Sequence, residues 1–387
     1  MARRSVGLAL FFACLAALLA ASVPRPAEAT APKVGHVFII VLENESFGLT
    51  FGARSPTPYL KSLVRKGALL SNYYAIGHNS LANYIAMVSG QAPNPMTQAD
   101  CPTYVDFVST GTDRDGQALG QGCIYPKSIP TIANQIESKG NGLTWKAYME
   151  DMGNKAGRER TTCSHPPIGE KDNTQKADPA DQYATRHNPF MYFHSVIDDQ
   201  PNCDAHVVNL SRLAGDIGDE KTTPNYVFIT PNLCHDGHDR PCIDGAPGGL
   251  ASANKFLMQY APEILNSPAY KKDGLLIITF DEAGSDDATA CCNEKHPPNI
   301  KPGSKLVWGP GDEEADHGAG ITGPGGGRIG AVLLSRFIKP GTVSRVGYNH
   351  YSLLRSVEDV FGLDHLGYAG QKALRSFGPD VFTKPGG

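Results

Sequence analysis

An α/β fold around a mostly parallel sheet is what this 387-residue chain predicts. Three apolar, β-branched runs carry the expectation: His36 to Leu42 (HVFIIVL), Asn225 to Thr230 (NYVFIT) and Leu275 to Phe280 (LLIITF). Each is nearly unbroken rather than alternating, as in a strand buried on both faces. Helical stretches separate them, and strand–helix alternation without internal repeats points to a parallel sheet covered by helices.

After the first strand, Thr57-Pro58 opens a helix that stops at Gly67, with proline at the first helical position and glycine past the last. Leu69 to Ile76 reads as the next strand. Ser80 caps a helix running through Ser89 and halted by Gly90. Further along come a helix over Pro130 to Ser138, a strand over Thr144 to Met149 and a helix near Ser252 to Leu265. Ile329 to Ser335 is a late strand, and Tyr351 to Phe361 a closing amphipathic helix. Long insertions are expected near residues 91 to 128, 151 to 200 and 283 to 327. One large domain over 30–387 suits this pattern better than two, since no Ser/Pro-rich linker interrupts it.

Hydrophobic residues make up 41% of the chain and charged ones 19%, enough apolar material for a large core and too little charge for disorder. A net charge of -4 supplies no basic excess, so nucleic acid is excluded as the main partner. Arg3 and Arg4 precede an apolar run from Val6 to Val23, and Ala27-Glu28-Ala29 offers a small-residue cleavage site. Residues 1–29 therefore read as a secretory signal peptide, with a single membrane anchor as the rival. A lipoprotein reading through Cys14 meets the wrong residues in Phe11-Phe12-Ala13. The expected location is secreted or periplasmic, with at most peripheral membrane contact.

Export makes the cysteines readable. Beyond Cys14 there are eight, with no C-x-x-C pair, which favours disulfides over zinc. Cys101 with Cys123 and Cys234 with Cys242 are candidate local bridges. Cys291 and Cys292 are adjacent and are expected to bond to different partners.

Polar residues gather where the strands end, which in open α/β sheets is where sites form. The first strand ends in Glu43-Asn44-Glu45-Ser46, the 275–280 strand in Asp281-Glu282, and the 225–230 strand in Pro231-Asn232-Leu233-Cys234-His235-Asp236-Gly237-His238. Hard oxygen donors of this kind suit a divalent cation able to polarise a phosphate. Ser80 opens a helix whose free amides and positive dipole end favour a dianion. It reads either as a phosphorus-attacking hydroxyl or as an ordinary N-cap. Asp316-His317, the GPGGG run at 323–327, Asp286-Asp287 and Asp312-Glu313-Glu314 read as loop features. Trp145 and Trp308 read as packing residues.

Seven segments decide between the readings of Ser80. GHVFIIVLENESFG, GHNSLANYIAMVSG, RHNPFMYF, FITPNLCHDGHD, LLIITFDEAG, GGGRIGAVLLS and YNHYSLLRSVEDVFGL resemble, in order, the bacterial phosphoesterase family of secreted acid phosphatases and phospholipases C. That family belongs to the alkaline-phosphatase superfamily, so the resemblance implies an alkaline-phosphatase-like three-layer sandwich. Asn79 and Ala82 stand where the family usually has prolines around its nucleophile, and Arg186 replaces the usual lysine of its Lys-His-Asn-Pro motif. The resemblance implies a single divalent cation, of unspecified identity, held by Glu43, Asn44, Asp281 and Glu282 with Ser80 as nucleophile and metal neighbour. It also implies His187 and Asn188 in the site, Asn83 beside the nucleophile, and His238 on the leaving-group side with Asn232, His235 and Asp236. His350 matches the histidine before the last helix and reads equally as a structural residue.

The function expected is a secreted metal-dependent acid phosphatase. Ser80 attacks phosphorus and His238 protonates the leaving alkoxide. A phosphorylated small molecule or a phospholipid headgroup, phosphoinositides included, is the expected substrate. The alternatives are a phospholipase C-type phosphodiesterase and a binding protein with a degenerate site.

Overall fold

The computed structural model describes residues 32–301 and 325–384. The expected leader, Cys14, Trp308, Asp312-Glu313-Glu314, Asp316-His317 and the first two residues of GPGGG lie outside the described residues.

Twelve strands occur among the described residues: β1 (His36–Leu42), β2 (Ala68–Leu70), β3 (Tyr73–Tyr74), β4 (Val108–Thr112), β5 (Ala118–Gln121), β6 (Trp145–Met149), β7 (Val207–Asn209), β8 (Tyr226–Thr230), β9 (Gly274–Phe280), β10 (Ala331–Ser335), β11 (Thr342–Ser344) and β12 (Tyr348–Asn349). Eight form the central sheet, ordered β11-β2-β10-β9-β1-β8-β6-β7. Only β10 runs against its neighbours; β9, β1, β8, β6 and β7 pair in parallel. Every residue of β1, β8 and β9 is buried, so both faces of the sheet are covered. The covering helices form two groups by mutual contact. Ser80–Ser89 packs with His350–Phe361 and Ile132–Lys139, and Pro58–Lys66 with Gly249–Asn266. This is the expected α/β sandwich, and its most strongly apolar runs fill its centre.

Register places the chemistry. β1 and β9 pair from His36 opposite Gly274 to Leu42 opposite Phe280, so the next residues, Glu43 and Asp281, emerge side by side. On the other flank Ile40 lies opposite Ile229, which aims the 231–238 loop at the same edge.

Three local expectations change. The single strand over Leu69–Ile76 is two short strands, because Ser71 N bonds Ser344 O and Asn72 O takes Tyr348 N. β2 thus stays in the central sheet while β3 pairs with β12. Ser80 is the first helical residue, not the cap: Asn79 holds the cap position but gives its side-chain amide to the Gln98 carbonyl rather than to the helix, and Asp100 Oδ1 accepts from Leu81 N at 2.9 Å. The helix still ends as expected, at Gly90 with φ 66°, where a side chain would collide with the Leu366 carbonyl.

The third change concerns the cysteines. Cys101–Cys123 and Cys234–Cys242 form as expected, and Cys163–Cys203 adds a bridge across the 151–200 insertion. Cys291 and Cys292 bond to each other rather than to separate partners. The other six described cysteines are already paired with one another, which among the described residues leaves these two only each other.

Candidate active site

Glu43 is the hub of the sheet's carboxyl edge. Its backbone N–H donates to Asp236 O and Asp281 N–H donates to Leu42 O, both at 2.8 Å, tying the three strand ends together. Asn44 sits at φ 52°, a left-handed conformation that asparagine tolerates better than most residues. That turn lets its N–H reach Asp281 Oδ1 at 3.0 Å while its side-chain amide donates to Glu43 Oε2 at 2.8 Å. Glu282 N–H caps the same Asp281 oxygen at 2.6 Å.

The Ser80 hydroxyl donates to Glu43 Oε2 at 2.9 Å, and the Tyr84 phenol, one turn on, donates to Oε1 at 2.8 Å. An N-capping serine would turn its oxygen to its own helix amides; this one turns to a carboxylate on another element. His187 stacks on Tyr84 with ring centroids 5.3 Å apart, and its Nε2 lies 3.2 Å from Glu43 Oε1 without the alignment of a hydrogen bond. Its other nitrogen faces Asp236 Oδ2 at 3.9 Å. His78 pairs through Nδ1 with Glu282 Oε2 at 3.1 Å, while its Nε2 meets the Asp287 carbonyl at 3.0 Å.

Acids this crowded resist ionisation. Burial first, then the Asp281 and Asp236 charges, push Glu43 well above the usual carboxylate range. Burial likewise raises Asp236 strongly, raises Asp281 despite the bond from Asn44 N–H, and lifts Glu282 to about 8. Asp281 Oδ2, Asp236 Oδ2 and His187 Nε2 are buried and without hydrogen-bond partners. Such atoms carry the full cost of desolvation unless something charged meets them. The donor set of carboxylates, an amide and an imidazole fits a divalent cation. Glu43, His187 and Asp236 offer ligand atoms all within 4.8 Å of one another. Cys234, Cys242 and Asp244 meet the same criterion, but those sulfurs are joined in a disulfide.

The remaining candidates divide by surroundings. Asn83 is wholly buried and braces the loop before Ser80: its oxygen takes Ile76 and Gly77 N–H, and its nitrogen donates to Gly77 and Asn79 carbonyls. His350 spends one nitrogen on the Asp281 carbonyl at 2.5 Å and the other on the Tyr73 hydroxyl at 3.1 Å; burial lowers it to about 4. Asn188 donates to the Tyr183 hydroxyl, and Asn232 to Asp151. His235 pairs with Glu150 at 2.9 Å. His238 is the accessible imidazole, its side chain 44% exposed, and Asp239 at 3.4 Å helps raise it above the usual histidine range. Burial instead drives His187 well below that range.

Tyr84, His78 and Asp100 escaped the sequence reading. Tyr84 falls four residues after Ser80, on the same helix face, which is the signal that was there to use. Asp100 lies in an insertion and had none.

The sequence model of the Phosphoesterase family matches residues 53–364. A probable acid phosphatase of Kluyveromyces lactis is 27% identical, over 90% of this chain and 64% of its own length. A phosphate-repressible acid phosphatase of Penicillium chrysogenum is 26% identical, over 80% and 55%. This chain thus spans between about half and two thirds of the acid phosphatases it matches. A phosphatidylinositol-3-phosphatase of Mycobacterium tuberculosis is 24% identical, over 89% and 82%. These matches come from fungi as well as a bacterium, wider than the bacterial grouping expected from the motifs. In fold, the chain is similar to a crystal structure of an alkaline-phosphatase-superfamily protein from Vibrio parahaemolyticus, with TM-score 0.50, 12% identity and coverage of 92% and 73%. At that identity the likeness speaks for the fold alone. With the family model matched over most of its length, the chain belongs to the Phosphoesterase family.

Proposed function

We propose that this protein is a secreted, metal-dependent acid phosphatase that hydrolyses phosphomonoesters, phosphoinositides among them, through a phosphoserine at Ser80. One observation carries the reading: the Ser80 hydroxyl opens a helix and bonds a buried carboxylate on a strand end, among acid oxygens that have no partner. The acid phosphatases and the phosphatidylinositol-3-phosphatase it is similar to support the ester class. Residues 1–29 serve as the export signal and 30–387 form the phosphoesterase domain. Among the described residues no helix is long and apolar enough to cross a membrane.

Glu43, Asn44, Asp281 and Glu282, with Ser80 beside them, would hold the cation, with His187 and Asp236 flanking Glu43. When bound, the ion supplies positive charge to a phosphate oxygen and lowers the pKa of the serine hydroxyl. Ser80 Oγ attacks phosphorus as its proton moves toward Glu43, which the cation's charge would keep ionised, and the Oγ–P bond forms while the ester P–O bond breaks. His238, raised by its acid neighbours and open to solvent, gives its proton to the departing alkoxide. In the second half His238 takes a proton from water, the oxygen attacks phosphorus, and Ser80 recovers its proton as phosphate leaves. His187 is neutral and buried, which suits it to orienting Glu43 and Asp236 rather than to proton donation. Asn83 and His350 hold the Ser80 loop and the Asp281 backbone.

A panel of phosphomonoesters, phosphoinositides and phosphatidylcholine, each with and without chelator, tests this. Chelator-sensitive phosphate release from monoesters is the expected result. Diacylglycerol release would select the phosphodiesterase alternative, and no turnover with any added metal the degenerate binding protein.

A further inference from the structure

We propose that Arg186 grips the transferred phosphoryl group and makes the site select phosphomonoesters over diesters, an inference that rests on the phosphatase reading above. Arg186 adjoins His187 and reaches the site from the 151–200 insertion. Its side chain is 13% exposed, and the charges that most affect it are Asp100, Glu43, Asp172 and Asp236.

What sets it apart is how little of its fork is used. A guanidinium carries five N–H donors in one plane. Here Nη1 donates to the Gln175 carbonyl at 3.2 Å. Its nearest carboxylate oxygen, Asp100 Oδ2, stands 3.9 Å from Nε, beyond hydrogen-bond distance. A buried arginine serving only as a counter-ion would close on that carboxylate with two parallel bonds. Asp100 is itself engaged, because its other oxygen holds Leu81 N–H beside the nucleophile. The carboxylate therefore links Arg186 to the start of the Ser80 helix while the rest of the fork stays available.

The fork geometry matches two non-bridging oxygens of a phosphate. A monoester bound for attack by Ser80 has three such oxygens and two negative charges, so one oxygen remains for the cation side after Arg186 takes two. A diester has only two non-bridging oxygens and one charge, and cannot satisfy both. Lysine, a point charge without a fork, would not discriminate in this way.

The test uses the metal-loaded full-length enzyme with 4-nitrophenyl phosphate, bis(4-nitrophenyl) phosphate and inorganic phosphate. R186Q is expected to lose roughly 10²-fold in kcat/KM for the monoester, the worth of one or two charge-assisted bonds, and far less for the diester. Inhibition by inorganic phosphate should weaken about tenfold, as expected for one lost charged contact. R186K keeps the charge without the fork and should fall between the two, which also supplies the result if R186Q does not fold. Equal losses on both esters in a folded variant, or unchanged phosphate inhibition, would overturn the role. Were the wild type inert toward every ester, the phosphatase reading would fail by itself. Calorimetric phosphate binding would then decide for Arg186: weaker binding in R186Q upholds it, equal or absent binding overturns it.

Discussion

The Tyr84 phenol donates to Oε1 of Glu43 at 2.8 Å, one helical turn beyond the Ser80 hydroxyl that donates to Oε2 of the same carboxylate. Two residues on one helix face thus aim Glu43 from both sides, and the carboxylate cannot swing without breaking a bond. Tyr84→Phe keeps the ring stacked on His187 and removes only that aim. Turnover of a nitrophenyl monoester should fall about tenfold, the worth of one hydrogen bond to a charged group, with KM nearly unchanged. Steady-state kinetics beside a melting curve checks this.

On the proposed mechanism, Ser80→Ala deletes the attacking hydroxyl and leaves a residue that fits the helix. Activity should drop by several orders of magnitude with the fold intact, as for other nucleophile removals. Acid quenching of the parent enzyme during turnover should label Ser80 with phosphate. Substantial activity in the alanine variant would sink the covalent route.

Asp281→Ala and His238→Ala separate charge-holding from proton delivery. The first removes an anion with an unpartnered buried oxygen and should lower both metal content and rate. The second should leave metal content unchanged and slow alkyl phosphates by roughly 10²–10⁴-fold, the worth of a general acid. Nitrophenyl phosphate, whose leaving group needs little protonation, should lose much less. Metal analysis beside kinetics on both substrates is the measurement.

The bridges differ in how much chain they close. Cys163–Cys203 spans 40 residues, and replacing both by alanine should cost about 3–4 kcal/mol in denaturant unfolding on the chain-entropy account. Replacing Cys291 and Cys292, adjacent in sequence, should cost much less. Thiol titration of the unfolded, unreduced mature protein should find none free; four or more would reopen metal binding by cysteine.

Glu358 gives the pH dependence of stability a definite sign. It is buried on the His350–Phe361 helix, with one oxygen accepting from Leu366 N–H and the other unpartnered, and burial raises it to about 8. An acid raised in the folded state holds its proton longer there than in the unfolded chain. Its contribution is full at low pH and is lost as pH rises from the ordinary glutamate range toward 8. Glu358→Gln cannot ionise, so its stability relative to wild type should climb across that interval. A parallel pair of denaturation curves from pH 5 to about 9 would show it.

Period and composition were enough to read β1, β8 and β9, because strands buried on both faces must be apolar throughout and cannot be disguised. The same holds for the acids that follow them: parallel strands end on one edge, so Glu43, Asp281 and the 231–238 loop had to converge. Short edge pairings such as β2 with β11 and β3 with β12 were not legible, since three- and two-residue strands are made by partners rather than by their own pattern. The same limit hid the bond between Cys291 and Cys292, which depends on where the other six cysteines find one another. Residue types at strand ends follow from sequence alone. That Ser80 turns to Glu43, that His187 is lowered while His238 is raised, and that Asp100 stands near Arg186 at the Ser80 helix were decided only by tertiary packing. Burial and neighbouring charge set those states, and both belong to the folded chain.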